Sequence, residues 1–73
     1  MQISRDNKVL KQLGKRVKEA RVNAGVSQEE LAWQCEIDRT YISKIERGIA
    51  NPSFLILVKV AEVLKIRLTT IIS

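Results

Sequence analysis

Two helix-capping signals stand eleven residues apart in this chain, and that interval constrains the fold more than any other feature. Ser27 is followed by Glu30 three residues later, a capping box that opens a helix at Gln28. Asp38 opens a second helix, and Gly48 ends it. The interval leaves room for about two helical turns and a tight turn at Glu36-Ile37, so two short helices must meet at a fixed angle. Leu31, Ala32 and Cys35 form the inner face of the first, with Ala32 small enough for a close crossing. At roughly 100° per residue, Ile42, Ile45 and Glu46 cluster on one side of the second. Arg39, Thr40, Ser43, Lys44 and Arg47 fill its other side, with Tyr41 at the border. A cationic helix held rigidly against its neighbour has the shape and charge needed to enter a nucleic-acid groove.

The remaining sequence is read by the same rules. Leu10, Leu13, Val17, Ala20 and Ala24 recur at three and four residues, which predicts a helix over about 7–24, capped by Ser4 or Asp6 and ended by Gly25. Helices are expected at 28–35 and 39–47. Asn51-Pro52-Ser53 resets the chain, and Ser53 caps a fourth helix over about 54–65, with Lys59 and Glu62 on its polar edge. Leu68, Ile71 and Ile72 suggest a short fifth helix at 68–72. No segment alternates with period two over a useful length. The expected fold class is all-α, a single domain over 1–73.

Composition narrows the chemistry. One cysteine and no histidine allow neither a disulfide framework nor a Cys/His zinc site, so no metal and no cofactor is expected. Cys35 reads as core packing and suits a reducing cytoplasm. There is no Gly-x-x-x-x-Gly-Lys-Ser/Thr loop and no converging set of carboxylates, so the chain is not read as an enzyme. The N-terminus is polar, and the longest apolar run, Phe54 to Val58, is too short to span a bilayer. Membrane-surface binding is also disfavoured, because the cations and the apolar fourth helix lie on different elements. The net charge of +5 calls for an anionic partner. Seven of the thirteen cations fall within residues 1–25, against only Asp6 and Glu19. Taken alone, such lysines are ordinary solvated charges.

At this point the chain resembles a known family. Leu13-Gly14-Lys15-Arg16-Val17, Arg21 with Gly25, Ser27-Gln28-Glu29-Glu30-Leu31-Ala32, Ile42-Ser43-Lys44-Ile45-Glu46-Arg47-Gly48 and Asn51-Pro52-Ser53 look like the lambda-repressor-like helix-turn-helix domain of the Xre/Cro group. The run Asp38-Arg39-Thr40-Tyr41-Ile42-Ser43 is similar to the recognition helix of restriction–modification controller proteins. The resemblance implies a five-helix fold with the helix-turn-helix at helices 2 and 3, and helix 3 in the major groove. It implies that Arg39, Thr40, Ser43 and Lys44 face bases and that Gln28 and Tyr41 meet the backbone, with Arg16 and Arg47 as further backbone cations. The fork of Arg39 suits the O6 and N7 acceptors of guanine. Arg47 has an alternative role at the helix C-terminus, and Ser43 in bonding its own backbone. Glu46 points inward among isoleucines, and the family pattern supplies Arg21 as its partner, a structural ion pair.

Glu36 stands where the family usually has glycine, and Lys65 and Arg67 where glycine and a capping serine are usual. A left-handed Glu36 would cost of order 1 kcal/mol. Leu55 and Ile56 are apolar where relatives tend to be polar. With Ile49, Leu68, Ile71 and Ile72 they are expected to form a two-fold dimer interface, the alternative being that these side chains only thicken the monomer core. Trp33 lies on the outer side of helix 2. The expected function is a cytoplasmic, sequence-specific DNA-binding transcriptional regulator, nucleoid-associated when bound, acting on double-stranded DNA as a homodimer. The alternative is an antitoxin or other interaction module that grips a toxin or regulatory protein and autoregulates through the same helices.

Overall fold

The computed structural model describes residues 2–72. Five helices follow one another: α1 Gln2–Asn23, α2 Gln28–Cys35, α3 Arg39–Glu46, α4 Phe54–Leu64 and α5 Thr69–Ile72. α1 packs on α3 and α5, and α2 packs on α3 and α4. The core comprises Val17 and Ala20 from α1, Leu31, Ala32 and Cys35 from α2, and Ile42 and Ile45 from α3. Leu57, Val60, Ala61 and Leu64 from α4 and Ile71 from α5 complete it.

α1 is longer than its apolar stripe. It begins at Gln2, so positions 4 and 6, expected at its start, lie inside the helix. No glycine or proline interrupts residues 2–13, and the helix runs on through polar residues that tolerate it. At the other end Ala24 is exposed beyond the last turn. α3 and α4 each stop one residue earlier than their sequence signals suggest. α5 starts at Thr69 rather than Leu68.

Three N-caps are made as the sequence implies. Ser27 Oγ accepts from the Glu30 amide at 3.0 Å, the Asp38 carboxylate from the Thr40 amide at 2.8 Å, and Ser53 Oγ from the Ile56 amide at 3.2 Å. The C-termini share a device that the sequence shows only half openly. After α1, α2, α3 and α4 a left-handed residue (Gly25, Glu36, Gly48, Lys65) turns the chain. The next amide then bonds back into the last turn: Val26 to the Arg21 carbonyl, Ile37 to Ala32, Ile49 to Lys44 and Ile66 to Ala61, at 3.0–3.2 Å. This closure satisfies carbonyls that the helix leaves unpaired. Glu36 at φ 59° and Lys65 at φ 58° adopt it without glycine's freedom. The closure and the burial of Ile37 and Ile66 against the core hold them there.

α1 and α3 approach closely at one point. A Cβ placed on Gly14 would lie 2.3 Å from the Ile45 carbonyl oxygen and 2.6 Å from that of Glu46. A side chain here would therefore collide with backbone, which cannot rotate away. Gly48 combines φ 76° with an equally tight approach to Lys11. Gly14→Ala is expected to cost at least about 2 kcal/mol in urea unfolding by forcing α1 off α3. Lys65→Gly should do the reverse, gaining up to about 1 kcal/mol by relieving the left-handed strain.

Candidate nucleic-acid interface

The outward side of α3 is built by anchoring its inward side. Ile42 and Ile45 are fully buried, at 0% and 1% exposure, which fixes the helix's rotation about its axis. Arg39, Thr40 and Lys44 are exposed as a consequence, while Tyr41 and Ser43 are half-buried. Asp38, Thr40, Tyr41 and Lys44 line one shallow depression at the start of the helix. The Asp38 carboxyl is held below the usual carboxylate range, first by the Thr40 amide, then by the Thr40 side chain, with Lys44 adding its charge.

Arg47 follows α3 as its C-cap, with ordinary right-handed backbone. Its Nε donates to Ser43 Oγ at 3.2 Å and to the Ser43 carbonyl at 3.4 Å. Arg47 thus covers the end of the helix by way of Ser43, whose hydroxyl accepts from the guanidinium. The Ser43 hydroxyl, having accepted from Arg47, still has its own proton to donate.

Behind this surface lies a charged node. Arg21 Nε reaches Glu46 Oε2 at 2.7 Å, and Arg21 Nη2 reaches Oε1 at 3.1 Å. Arg21 Nη1 also donates to the Val26 carbonyl at 2.8 Å. The two side chains are only 12% and 3% exposed. Such a bidentate pair combines strong hydrogen bonds with a fixed relative orientation. Gln28 joins it, its Nε2 donating to Glu46 Oε1 at 3.0 Å. One carboxylate thus ties together α1, α2 and α3.

Not every expected residue falls on this surface. Arg16 lines a groove of about 180 Å³ with Val9, Leu13, Leu57, Ile71 and Ile72. It lies on the side of α1 opposite Gly14, the residue that meets α3. Ile71 is fully buried and belongs to the core, not to an association surface. It packs inward because α5 folds back on α1. Ile56 and Leu68 are half-buried. Ile49, Leu55 and Ile72 are exposed at 59%, 63% and 46%, and Phe54 at 67% joins them. Phe54 was legible in principle: three consecutive apolar residues, Phe54-Leu55-Ile56, cannot all face inward at the start of one helix. Trp33 is 71% exposed on the outer face of α2. Burial raises the Cys35 thiol above its ordinary value, with Lys59 pulling the other way, which leaves it a packing residue. Among the described residues no helix is long and apolar enough to cross a membrane. No group of three or more potential metal ligands forms among them either.

A helix-turn-helix family model matches residues 17–71. Control protein C.BamHI of Bacillus amyloliquefaciens is 40% identical over 55 residues, covering 74% of this chain and 68% of that protein. The regulator SinR of Bacillus subtilis is 38% identical over 61 residues, and the match spans only 55% of its length. The crystal structure of the restriction-modification controller protein C.AhdI from Aeromonas hydrophila superposes with a TM-score of 0.82. It shares 37% identity and is covered over 94% of its chain, against 85% of this one. SinR crystallised in complex with DNA gives a TM-score of 0.79 at 37% identity, covering 84% of this chain and 98% of that one.

The cap on α3 makes a pH prediction. Because the folded Asp38 carboxyl titrates below its unfolded value, the cap's contribution is full above that unfolded value. It is lost as pH falls through the lower, folded one. Asp38→Asn keeps a cap that does not titrate. The difference in unfolding free energy between wild type and Asp38→Asn should therefore shift in the variant's favour below about pH 4. A difference that stays constant from pH 6 to pH 2 would contradict the assignment.

Proposed function

Because the chain belongs to the helix-turn-helix family, in its lambda-repressor-like branch, we propose that it is a sequence-specific transcriptional regulator that binds a pseudo-palindromic operator as a homodimer. One observation carries this reading. α3 is pinned by Ile42 and Ile45, yet leaves Arg39, Thr40 and Lys44 bare on its far side. Inserted N-terminus first into a major groove, the helix would bring Arg39 to base edges before any other side chain. Its guanidinium would then pair with a guanine. Thr40 offers a methyl to thymine or a hydroxyl to a base edge. Lys44 reaches guanine or phosphate, and Ser43, with Arg47 on its oxygen, donates to a base acceptor. Gln28, Tyr41 and Arg47 are the backbone contacts.

The association surface is proposed at Ile49, Phe54, Leu55 and Ile72, with Ile56 and Leu68 at its edge. Four exposed apolar side chains on a chain of this size favour burial against a second copy. A two-fold pair would set two α3 helices about 34 Å apart, one turn of duplex.

Selection from random duplexes tests the whole reading: the expected product is a site with two inverted half-sites. Arg39→Ala should flatten the preference at one position in each half-site. Binding should weaken steeply with salt, each neutralised phosphate contributing about −0.9 to the log–log slope. Leu55→Glu should give a monomer by sedimentation at hundreds of micromolar and lower operator affinity without loss of helix content. Recovery of no enriched sequence would sink the proposal.

A further inference from the structure

We infer that Glu46, though it touches no nucleic acid, is a positioning residue for the phosphate contact made by Gln28. The inference rests on Gln28 meeting the backbone, as proposed above, and adds how its amide is aimed. The Gln28 side chain ends in a carbonyl oxygen and an NH2 group, and rotation by 180° exchanges them. An ionised carboxylate only accepts, so the face of the amide turned to Glu46 must be the NH2 group. The 3.0 Å contact from Nε2 to Oε1 has that polarity. Glu46 cannot swing to accommodate the other orientation. Its side chain is 3% exposed, and the Arg21 guanidinium grips both of its oxygens. Arg21 is in turn anchored by the Val26 carbonyl, just ahead of α2.

One N–H of Gln28 is thereby consumed. The second diverges from it by the fixed geometry of the amide, and Gln28 is half-buried rather than enclosed, which leaves this N–H as the one available to a phosphate. It leaves from the first residue of α2. The Ser27 oxygens already take the amides of Glu30 and Leu31, and the backbone N–H groups of Gln28 and Glu29 precede them in that first turn. A phosphate oxygen that meets this turn therefore finds a side-chain donor already oriented among backbone donors. Without Glu46 neither the amide plane nor the rest of the Gln28 side chain is held, so the phosphate contact must be made at the cost of ordering a free side chain.

The test uses operator duplexes carrying a neutral methylphosphonate at one phosphate at a time. Wild type should lose about tenfold in affinity at the phosphate met by Gln28, and Gln28→Ala should show no such loss there. The double variant Arg21→Met/Glu46→Met replaces the ion pair by apolar groups of similar volume, an exchange that often preserves folding. It should lose most of the penalty at that one phosphate and keep the penalties at all others. A double variant with the wild-type pattern, or with every penalty reduced alike, overturns the inference.

A measurement on wild type alone keeps the question open to refutation if the double variant fails to fold. In nuclear magnetic resonance, one Gln28 side-chain amide proton should exchange slowly in the free protein, and the other should shift on operator binding. Two protons exchanging as in an exposed glutamine would refute the role of Glu46 while leaving operator binding itself intact.

Discussion

The seam between α1 and α3 is the contact on which the rest of the molecule depends. At Gly14 the backbone of one helix lies against carbonyl oxygens of the other, at a separation that excludes even a methyl group. That proximity puts Arg21, two turns further along α1, within reach of Glu46. It also lays Lys11 against Gly48, where the chain leaves α3. A looser seam would strand a carboxylate among isoleucines, a costly arrangement for any fold. Closed, it turns the same carboxylate into a joint shared by three helices. Rigidity on one side of α3 is what permits exposure on the other, because a helix held at three points does not roll to hide its cations.

The ion pair is best understood as a device for geometry. Removing two charges from water costs several kcal/mol per ion, and their attraction roughly repays that cost when the remaining hydrogen-bonding sites are filled. Here Arg21 also serves the Val26 carbonyl, and Glu46 also serves Gln28. The gain lies in registration. Few apolar contacts fix both the rotation and the translation of neighbouring helices as a bidentate bond does.

Much of this was legible in the residues, and the exceptions have physical causes. Ser27, Asp38 and Ser53 announced their helices because a cap is a local hydrogen bond, decided by the side chain and the amides two or three residues ahead. The inward set of α3 followed from helical geometry alone. The ends were harder. Glu36 and Lys65 terminate helices in a conformation that sequence rules reserve for glycine. The signal that accompanies them is the β-branched apolar residue that follows each: Val26, Ile37, Ile49 and Ile66 each come one place after a left-handed residue. Ile71 was misread for a different reason. Four residues of helix carry too little periodicity to show which face turns inward, and only the return of α5 onto α1 decides it. The start of α1 had no stop signal to read.

Six of the eight positions of α3 divide cleanly between two roles, with Tyr41 and Ser43 at the border. Ile42, Ile45 and Glu46 maintain the scaffold, whereas Arg39, Thr40 and Lys44 contribute nothing to the core. Replacement of the outer trio therefore leaves the core packing untouched and at most weakens the Asp38 cap that Thr40 and Lys44 support. A lineage built on this plan can exchange one set of outward side chains for another while its architecture stays intact. New binding preferences then need only a few codon changes, and no passage through an unfolded ancestor.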